Sequence, residues 1–306
     1  MPIANVSQNL EQADKKVLKA FTTGATGYTS EYEKVFIIET PERRNERFTI
    51  VKTDSGVQEV QDGGAYPTQG INEIGANEIA VRVYKSAIPI SDLADLFDNY
   101  GAIERVAKTR GYHFKAKTDQ LCADFLNNST ATSGNYGINI AGTDYPLFGN
   151  SQAIGDSGTT QDNRIAGSLN KSTLDEARVA MRTMKDHDGM RANFQPKRLV
   201  VPPAELLNAW QMTRSMAEPE SANNNKNFTQ TMGLQLIEWP LLDSSTACFL
   251  LADKSDVGAK GLRLEVKEMP SMRRIMDPAT GNWVYTMRMV MFPGVVDYLG
   301  MVSIGL

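Results

Sequence analysis

"TTGATGYTSE", residues 22–31, sits where the fold of this chain is decided. Gly24 and Gly27 bracket Ala25-Thr26 in the manner of a dinucleotide-binding turn, which would make the protein a Rossmann-type oxidoreductase using a nicotinamide cofactor. Such a turn follows a buried strand and opens a helix, because helical N–H groups must face the pyrophosphate. The segment in front, NVSQNLEQADKKVLKAF, instead places Val6, Leu10, Ala13, Val17 and Phe21 at spacings of three and four. That is a helical period, and Glu11 with Lys15 adds an i,i+4 pair in the favourable order. Gly24 then falls where a helix C-cap glycine belongs. Ser30 stands in place of the third glycine, and no second βα unit follows. The stretch reads as a helix stop and a turn, and the oxidoreductase is rejected.

Working outward, "GDSGTT" at 155–160 carries the letters that surround a chymotrypsin-like serine nucleophile. Ser157 would need a histidine base held by a buried aspartate. The chain has two histidines: His113 lies inside a helical pattern, and His187 is placed at a helix end. Ser157 reads as a turn residue within a polar, Gly-rich stretch, 127–168, that has no Lys and only Asp144, Asp156, Asp162 and Arg164 as charges. That composition predicts a long loop or thin hairpin. No catalytic, cofactor-binding or metal residue is assigned. The chain is read as no enzyme, and neither a CxxC pair nor an HExxH helix occurs in it.

With 306 residues, 41% of them hydrophobic, the chain can bury substantial cores. A net charge of −4 argues against a dedicated nucleic-acid-binding protein but leaves room for a local basic patch. Cys122 and Cys248 sit in apolar patterns and read as small core residues, not a disulfide. The N-terminal residues carry no basic region with a long apolar run, so a soluble protein made in the cytoplasm is expected.

Two runs with period-two patterning, 47–53 and 78–86, predict a long β-hairpin whose polar tip, 54–77, lacks material for a core. Such an arm needs a partner surface, and none is visible locally. Ser91 is a helix N-cap with Asp92 and Asp95 in the first turn. From there Leu93, Leu96, Phe97, Tyr100, Ile103, Val106, Phe114, Leu121 and Phe125 keep one face for over thirty residues, with Gly101 and Gly111 as breaks. Ser172 with Asp175 reads as a capping box for a helix whose inner face is Leu174, Ala177, Met181 and Met184. Then come KRLVVPP, a proline-started helix AELLNAWQMTRS with Leu207 and Trp210 as core, and the strands GLQLIEWPLL and ACFLLAD. The alternation describes an α/β layer. LRLEVKEMP, MRRIM, a DPATGN turn and WVYTMRMVMF return to long strands, their methionines reading as core filler.

This order of parts resembles the tailed-bacteriophage major capsid protein of the Hong Kong 97 fold, nearest its Mu-like major head subunits. AIPISDLADLF with TDQLCADFLNNS is similar to the entry and exit of that family's spine helix; PKRLVVPPAELLNAW to its axial strand–Pro–helix; GLQLIEWPLL and ACFLLAD to the following strand pair; WVYTMRMVMFPGVVDYLG to its closing strands. The resemblance implies an α+β subunit divided as follows: 1–34 an N-terminal arm, 35–46 and 87–167 the peripheral domain, 47–86 the extended hairpin, 168–261 the axial domain, and 262–306 the peripheral closing strands. It implies self-assembly into hexamers and pentamers of an icosahedral head that holds double-stranded DNA weakly. It also implies portal and decoration partners. About ninety residues precede the spine and the arm and hairpin use them all, so a separate scaffolding protein is expected. Some relatives weld subunits by a Lys–Asn isopeptide bond. Lys52 is the only Lys between Lys34 and Lys85 and thus the only candidate in the hairpin, against its reading as a solvated strand residue. An encapsulin-like compartment shell is the alternative within the same fold.

Overall fold

Two helices cross so closely that their backbones touch, and glycine is the reason. In the computed structural model, which describes residues 4–53, 59–62, 64–66, 70–91, 100–132, 136–216, 226–256 and 261–306, α1 (Ala4–Thr26) is followed by the short α2 (Tyr32–Val35), and α3 (Tyr100–Asn127) is the longest helix described. α1 runs through Gly24 and does not stop there, contrary to the C-cap expectation. A Cβ on Gly24 would lie 1.9 Å from the Lys108 carbonyl oxygen, and one on Gly111 would lie 2.1 Å from that of Phe21. Gly101 and Gly111 likewise do not break α3. Both Gly24 and Gly111 are packing residues that admit the neighbouring backbone. Gly24→Leu is therefore expected to force the helices apart and cost about 3 kcal/mol. A urea midpoint unchanged from the parent would refute this role.

α3 grips the start of α2 with a buried carboxylate. Asp119 accepts the Tyr32 and Glu31 N–H groups at 3.0 and 3.2 Å and the Tyr28 hydroxyl at 2.9 Å. One turn earlier, Lys115 donates to the Tyr32 hydroxyl and to Glu33. Residues 92–99, and with them the expected first turn of the spine, lie outside the described residues.

Strands β1 (Ile37–Glu39), β2 (Asn45–Thr53), β3 (Ile71–Ala80) and β4 (Arg82–Ile90) follow α2. The hairpin forms from β2 and β3, with Asn45 opposite Ala80 and Thr53 opposite Ile71. The expected second strand, 78–86, is thus divided at Val81, and β4 pairs elsewhere. The apolar alternation continues across Val81, so the pattern could not reveal the change of partner. INEIGAN (71–77), read as tip, is strand. Its Gly75 lets the backbone of Asn139 approach, since a Cβ there would meet that carbonyl oxygen at 2.2 Å.

The Gly-rich stretch resolves into small ladders: β5 (Ile138–Ile140) with β6 (Thr143–Tyr145), β7 (Gln152–Ala153) with β8 (Thr160–Gln161), then β9 (Arg164–Ile165). Next come α4 (Lys171–Thr183), β10 (Pro196–Val201), α5 (Leu206–Arg214), α6 (Phe228–Thr231), β11 (Gln235–Glu238), β12 (Cys248–Ala252), β13 (Leu262–Met276), β14 (Trp283–Val295) and β15 (Met301–Ile304). α4 buries Leu174, Ala177, Met181 and the following Met184 as expected. Its capping box, however, is Asn170 with Thr173, two residues before the expected Ser172.

Two sheets organise the chain. One has the order β1-β13-β14-β4, the other β11-β10-β12-β15-β9. Along β14, Tyr285, Met287, Met289 and Met291 alternate inward, and the Thr118 hydroxyl of α3 reaches the sulfurs of Met289 and Met291. The methionines are core filler on this face. The closing strands do not all stay together as read from the sequence, because β15 joins the five-stranded sheet beside β12 and β9. Arg198 and Lys254 tie that sheet to α2. Arg198 donates to the Lys34 and Val35 carbonyls, and Lys254 to those of Glu33 and Phe36. Burial pushes the Lys254 ammonium down to about 8, with Arg198 nearby adding to the effect. Cys122 and Cys248 are free and buried.

Candidate assembly surfaces

The hairpin is not the unsupported arm that its polar sequence suggests. Ile50, Ile74 and Ile79 enter the core, Asn77 bridges the Val296 carbonyl and the Asn139 N–H, and the Ala141 N–H donates to Ile74 at 2.6 Å. At its far end Lys52 pairs with Asp156, and Asp188 accepts both the N–H and the hydroxyl of Thr53. The only lysine considered for a cross-link is thus engaged within its own chain. The sequence missed these anchors because they join residues 62 to 219 positions apart. What remains beyond Thr53 is the tip, 54–70. There Tyr66 is 95% exposed and, at the start of β3, Ile71 is 76% exposed.

Asp188 belongs to a turn that also places His187 against Asp297, with Nε2 and Oδ2 2.9 Å apart. His187 therefore lies in a turn and not at a helix end. Ser157 is not joined to it: its hydroxyl donates to the Ile154 carbonyl and pairs with Thr159. His113 is exposed on α3. These three residues form no triad. Burial works to lower the His187 pKa, but the hydrogen bond and charge of Asp297, helped by Asp186 and Asp188, outweigh it and leave the value raised above 6.5. A raised value means that the folded chain holds the proton more tightly than the unfolded chain. The stability it contributes is full below pH about 6.5 and is lost as pH climbs through the folded value. His187→Gln is expected to remove that slope from the melting temperature measured between about pH 6 and 8; an identical slope in the variant would assign it to other groups.

A second surface lies on α5. The helix buries Ala209, Met212 and Thr213, which leaves Leu207 68% and Trp210 55% exposed. The expectation that Leu207 and Trp210 are core is overturned. Apolar residues sit on both sides of this short helix, and the inner side is the one that meets α6 and β11. Met216 and Phe228 extend the outward apolar surface, and the guanidinium of Arg178 lies 5.4 Å from the Phe228 ring. Four large apolar side chains, Leu207, Trp210, Met216 and Phe228, are thus left in water in this part of the chain.

Among the described residues no group of acidic, histidine or cysteine side chains could hold a metal, and no helix is long and apolar enough to cross a membrane.

Solved structures similar to this chain are shell proteins. The capsid of the cyanophage P-SCSP1u has a TM-score of 0.54 at 11% identity, covering 90% of this chain and 88% of that one. The bacteriophage JBD30 capsid has a TM-score of 0.55 at 12% identity, covering 71% and 92%. The SrpI encapsulin of Synechococcus elongatus PCC 7942 has a TM-score of 0.51 at 14% identity, covering 89% and 85%. No curated protein sequence matches the chain. The fold is the Hong Kong 97 fold of phage capsid proteins. The phage capsid protein family model matches residues 76–304, and the chain belongs to that family. It is a major capsid protein, a structural subunit of the virion that associates with copies of itself into a capsid shell.

Proposed function

We propose that copies of this chain form hexamers and pentamers of an icosahedral head around double-stranded DNA. In this reading 168–261, built on the five-stranded sheet, surrounds the capsomer centre. The four-stranded sheet with α1 and α3 forms the periphery, and the tip at 54–70 laps a neighbour. Assembly takes place in the host cytoplasm, with a scaffolding protein, a portal and a decoration protein as further partners. An encapsulin-type compartment shares the fold; membership of the phage capsid family favours the head.

The observation that carries the reading is the outward pair Leu207 and Trp210. Burying two such side chains against a neighbour contributes roughly 1.5–3 kcal/mol each, and a closed symmetric shell repeats that gain at every equivalent contact. Leu207→Asp with Trp210→Glu is expected to leave the subunit folded, with unchanged circular dichroism and melting temperature, and to abolish particles in negative-stain microscopy. Normal particles from this variant would remove the α5 face from the assembly contacts.

A further inference from the structure

We propose that His187 is a proton-operated latch at the base of the hairpin tip, acting through Asp297 to steady the turn that holds Thr53. Its bearing on assembly rests on the lapping tip proposed above; the latch itself belongs to the single chain. Four segments distant in sequence meet at this point: the end of β2, the 153–161 loop, the turn after α4 and the 296–300 connection. Asp188 accepts the Thr53 N–H at 2.6 Å and the Thr53 hydroxyl at 2.7 Å. One residue earlier, Lys52 pairs with Asp156 of the loop. The loop backbone lies against the turn, since a Cβ on Gly155 would sit 2.5 Å from the His187 carbonyl oxygen. The turn is braced as one piece. Asp186 Oδ1 accepts the N–H groups of Asp188 and Met190 at 3.1 and 2.8 Å, and the Asp186 N–H donates to the Met190 carbonyl at 2.8 Å. Two neighbouring side chains of this piece reach other segments: Asp188 reaches Thr53, and His187 reaches Asp297.

His187 is buried, with Nε2 2.9 Å from Asp297 Oδ2. Its other ring nitrogen, Nδ1, is buried and has no hydrogen-bond partner among the described residues, so the ring is held through Asp297. That carboxylate is itself fixed, because its Oδ1 accepts the Tyr298 N–H at 2.7 Å. The titratable groups around the ring are Asp186 and Asp188 of its own turn, Asp297 and Tyr298 of the connection, and the Lys52–Asp156 pair where hairpin and loop meet. Burial pushes the Tyr298 hydroxyl up, and it donates to the Ala153 carbonyl at 2.8 Å. Imidazole is the side chain that ordinarily changes charge near neutrality, and His187 is the one imidazole in this cluster. Burial favours its neutral form, but Asp297, with Asp186 and Asp188, favours the charged form and prevails. The charged ring holds Asp297 by a charge-assisted hydrogen bond, and the neutral ring by an ordinary one. The turn is therefore held firmly at low pH and loosens as the proton leaves, and the grip of Asp188 on Thr53 loosens with it. A tip on a loose base has more freedom, so fixing it against a neighbour costs more entropy.

The test is amide hydrogen exchange of Thr53 in the full chain, below the concentration at which particles form, corrected for the intrinsic pH dependence of exchange. Thr53 should exchange faster than Leu250, in the middle of the five-stranded sheet, because the base of the tip opens without global unfolding. Its protection should fall at least about threefold between about pH 6 and pH 8.5. The Gly281 N–H, bonded to Asp277 within the β13–β14 turn, should show no such fall. His187→Gln keeps a polar group beside Asp297 that does not titrate, and its Thr53 protection should not vary over this range. Asp297→Asn removes the charge that favours the imidazolium, so the fall should move to lower pH. Asp188→Ala should leave Thr53 unprotected at every pH. A flat profile in the parent would overturn the proposal, as would an undiminished fall in His187→Gln. Protection of Thr53 equal to that of Leu250 would overturn it too, since the base would then open only with the whole fold. If Thr53 behaves as expected while microscopy shows equal particle yields from the parent at both pH values, the latch stands and its bearing on the lapping tip fails.

Discussion

Replacing residues 54–70 with an Asn-Gly turn should give a folded subunit that forms no shells. The cut falls between Thr53 and Ile71, which are paired across the hairpin, and a two-residue primed turn matches the twist of the strands it would join. Everything that anchors the hairpin to its own chain stays in place. Ile50, Ile74 and Ile79 remain in the core, Lys52 keeps Asp156 and Thr53 keeps Asp188. What is lost is the segment with Val57, Val60 and Tyr66, the last almost wholly exposed. Ordering such a segment costs about 1–2 kcal/mol of backbone entropy per residue, which contacts with a neighbour must offset. A complete loss of particles is expected in size-exclusion chromatography and microscopy, with a melting temperature within a few degrees of the parent. Closed particles from the shortened chain would rule out the lapping role. A wider excision, to residue 77, would remove most of β3 and is expected to unfold the peripheral layer.

The second large effect is on stability and contrasts two tryptophans. Trp239 is fully buried, its ring set edge-on to Phe36 with centroids 6.4 Å apart. The backbone N–H of Trp239 donates to the Val201 carbonyl at 2.9 Å, just past the end of β11. Trp239→Ala should cost about 3–5 kcal/mol by opening a cavity between the five-stranded sheet and the end of α2. In a chain of this length that corresponds to a fall of roughly 5–8 °C in melting temperature. Trp210→Ala should change stability by no more than about 0.5 kcal/mol, since that ring packs on water in the isolated subunit. Differential scanning calorimetry of both variants, held below the concentration at which particles form, distinguishes them. Equal losses would mean that Trp210 is supported by contacts within its own chain.

Much of the chemistry was legible in the residues themselves. The spacing of Val17 and Phe21 declared a helix, and the structure buries both. Leu174, Ala177, Met181 and Met184 declared the inner face of α4. The alternation of WVYTMRMVMF declared β14. The sites that eluded the sequence share a feature: each depends on a partner distant in the chain. Asp119, caught between burial and the N–H groups at the start of α2, looks like any helix-surface acid in TDQLCADF. Burial wins there and leaves its pKa raised. Arg198 and Lys254 look like solvated ends of strands, although their charges satisfy carbonyls at the end of α2.

By itself the sequence determined where most helices and strands form, which positions could be apolar faces, that the Gly24–Gly27 stretch is no cofactor turn, and the order of parts that matches a phage capsid subunit. Periodicity carries that information because 3.6 and 2.0 residues per repeat are properties of a local backbone. Only the tertiary structure decided that the chain breaks from β2 at Val81, after β3, and turns to β14 as β4, that α5 buries Ala209 and shows Trp210, and that Gly24 and Gly111 admit a neighbouring helix. A pattern shows that a face exists, whereas burial depends on what covers it. The cover for Gly24 lies more than eighty residues away, at Lys108, and the cover proposed for Trp210 is a second copy of the chain.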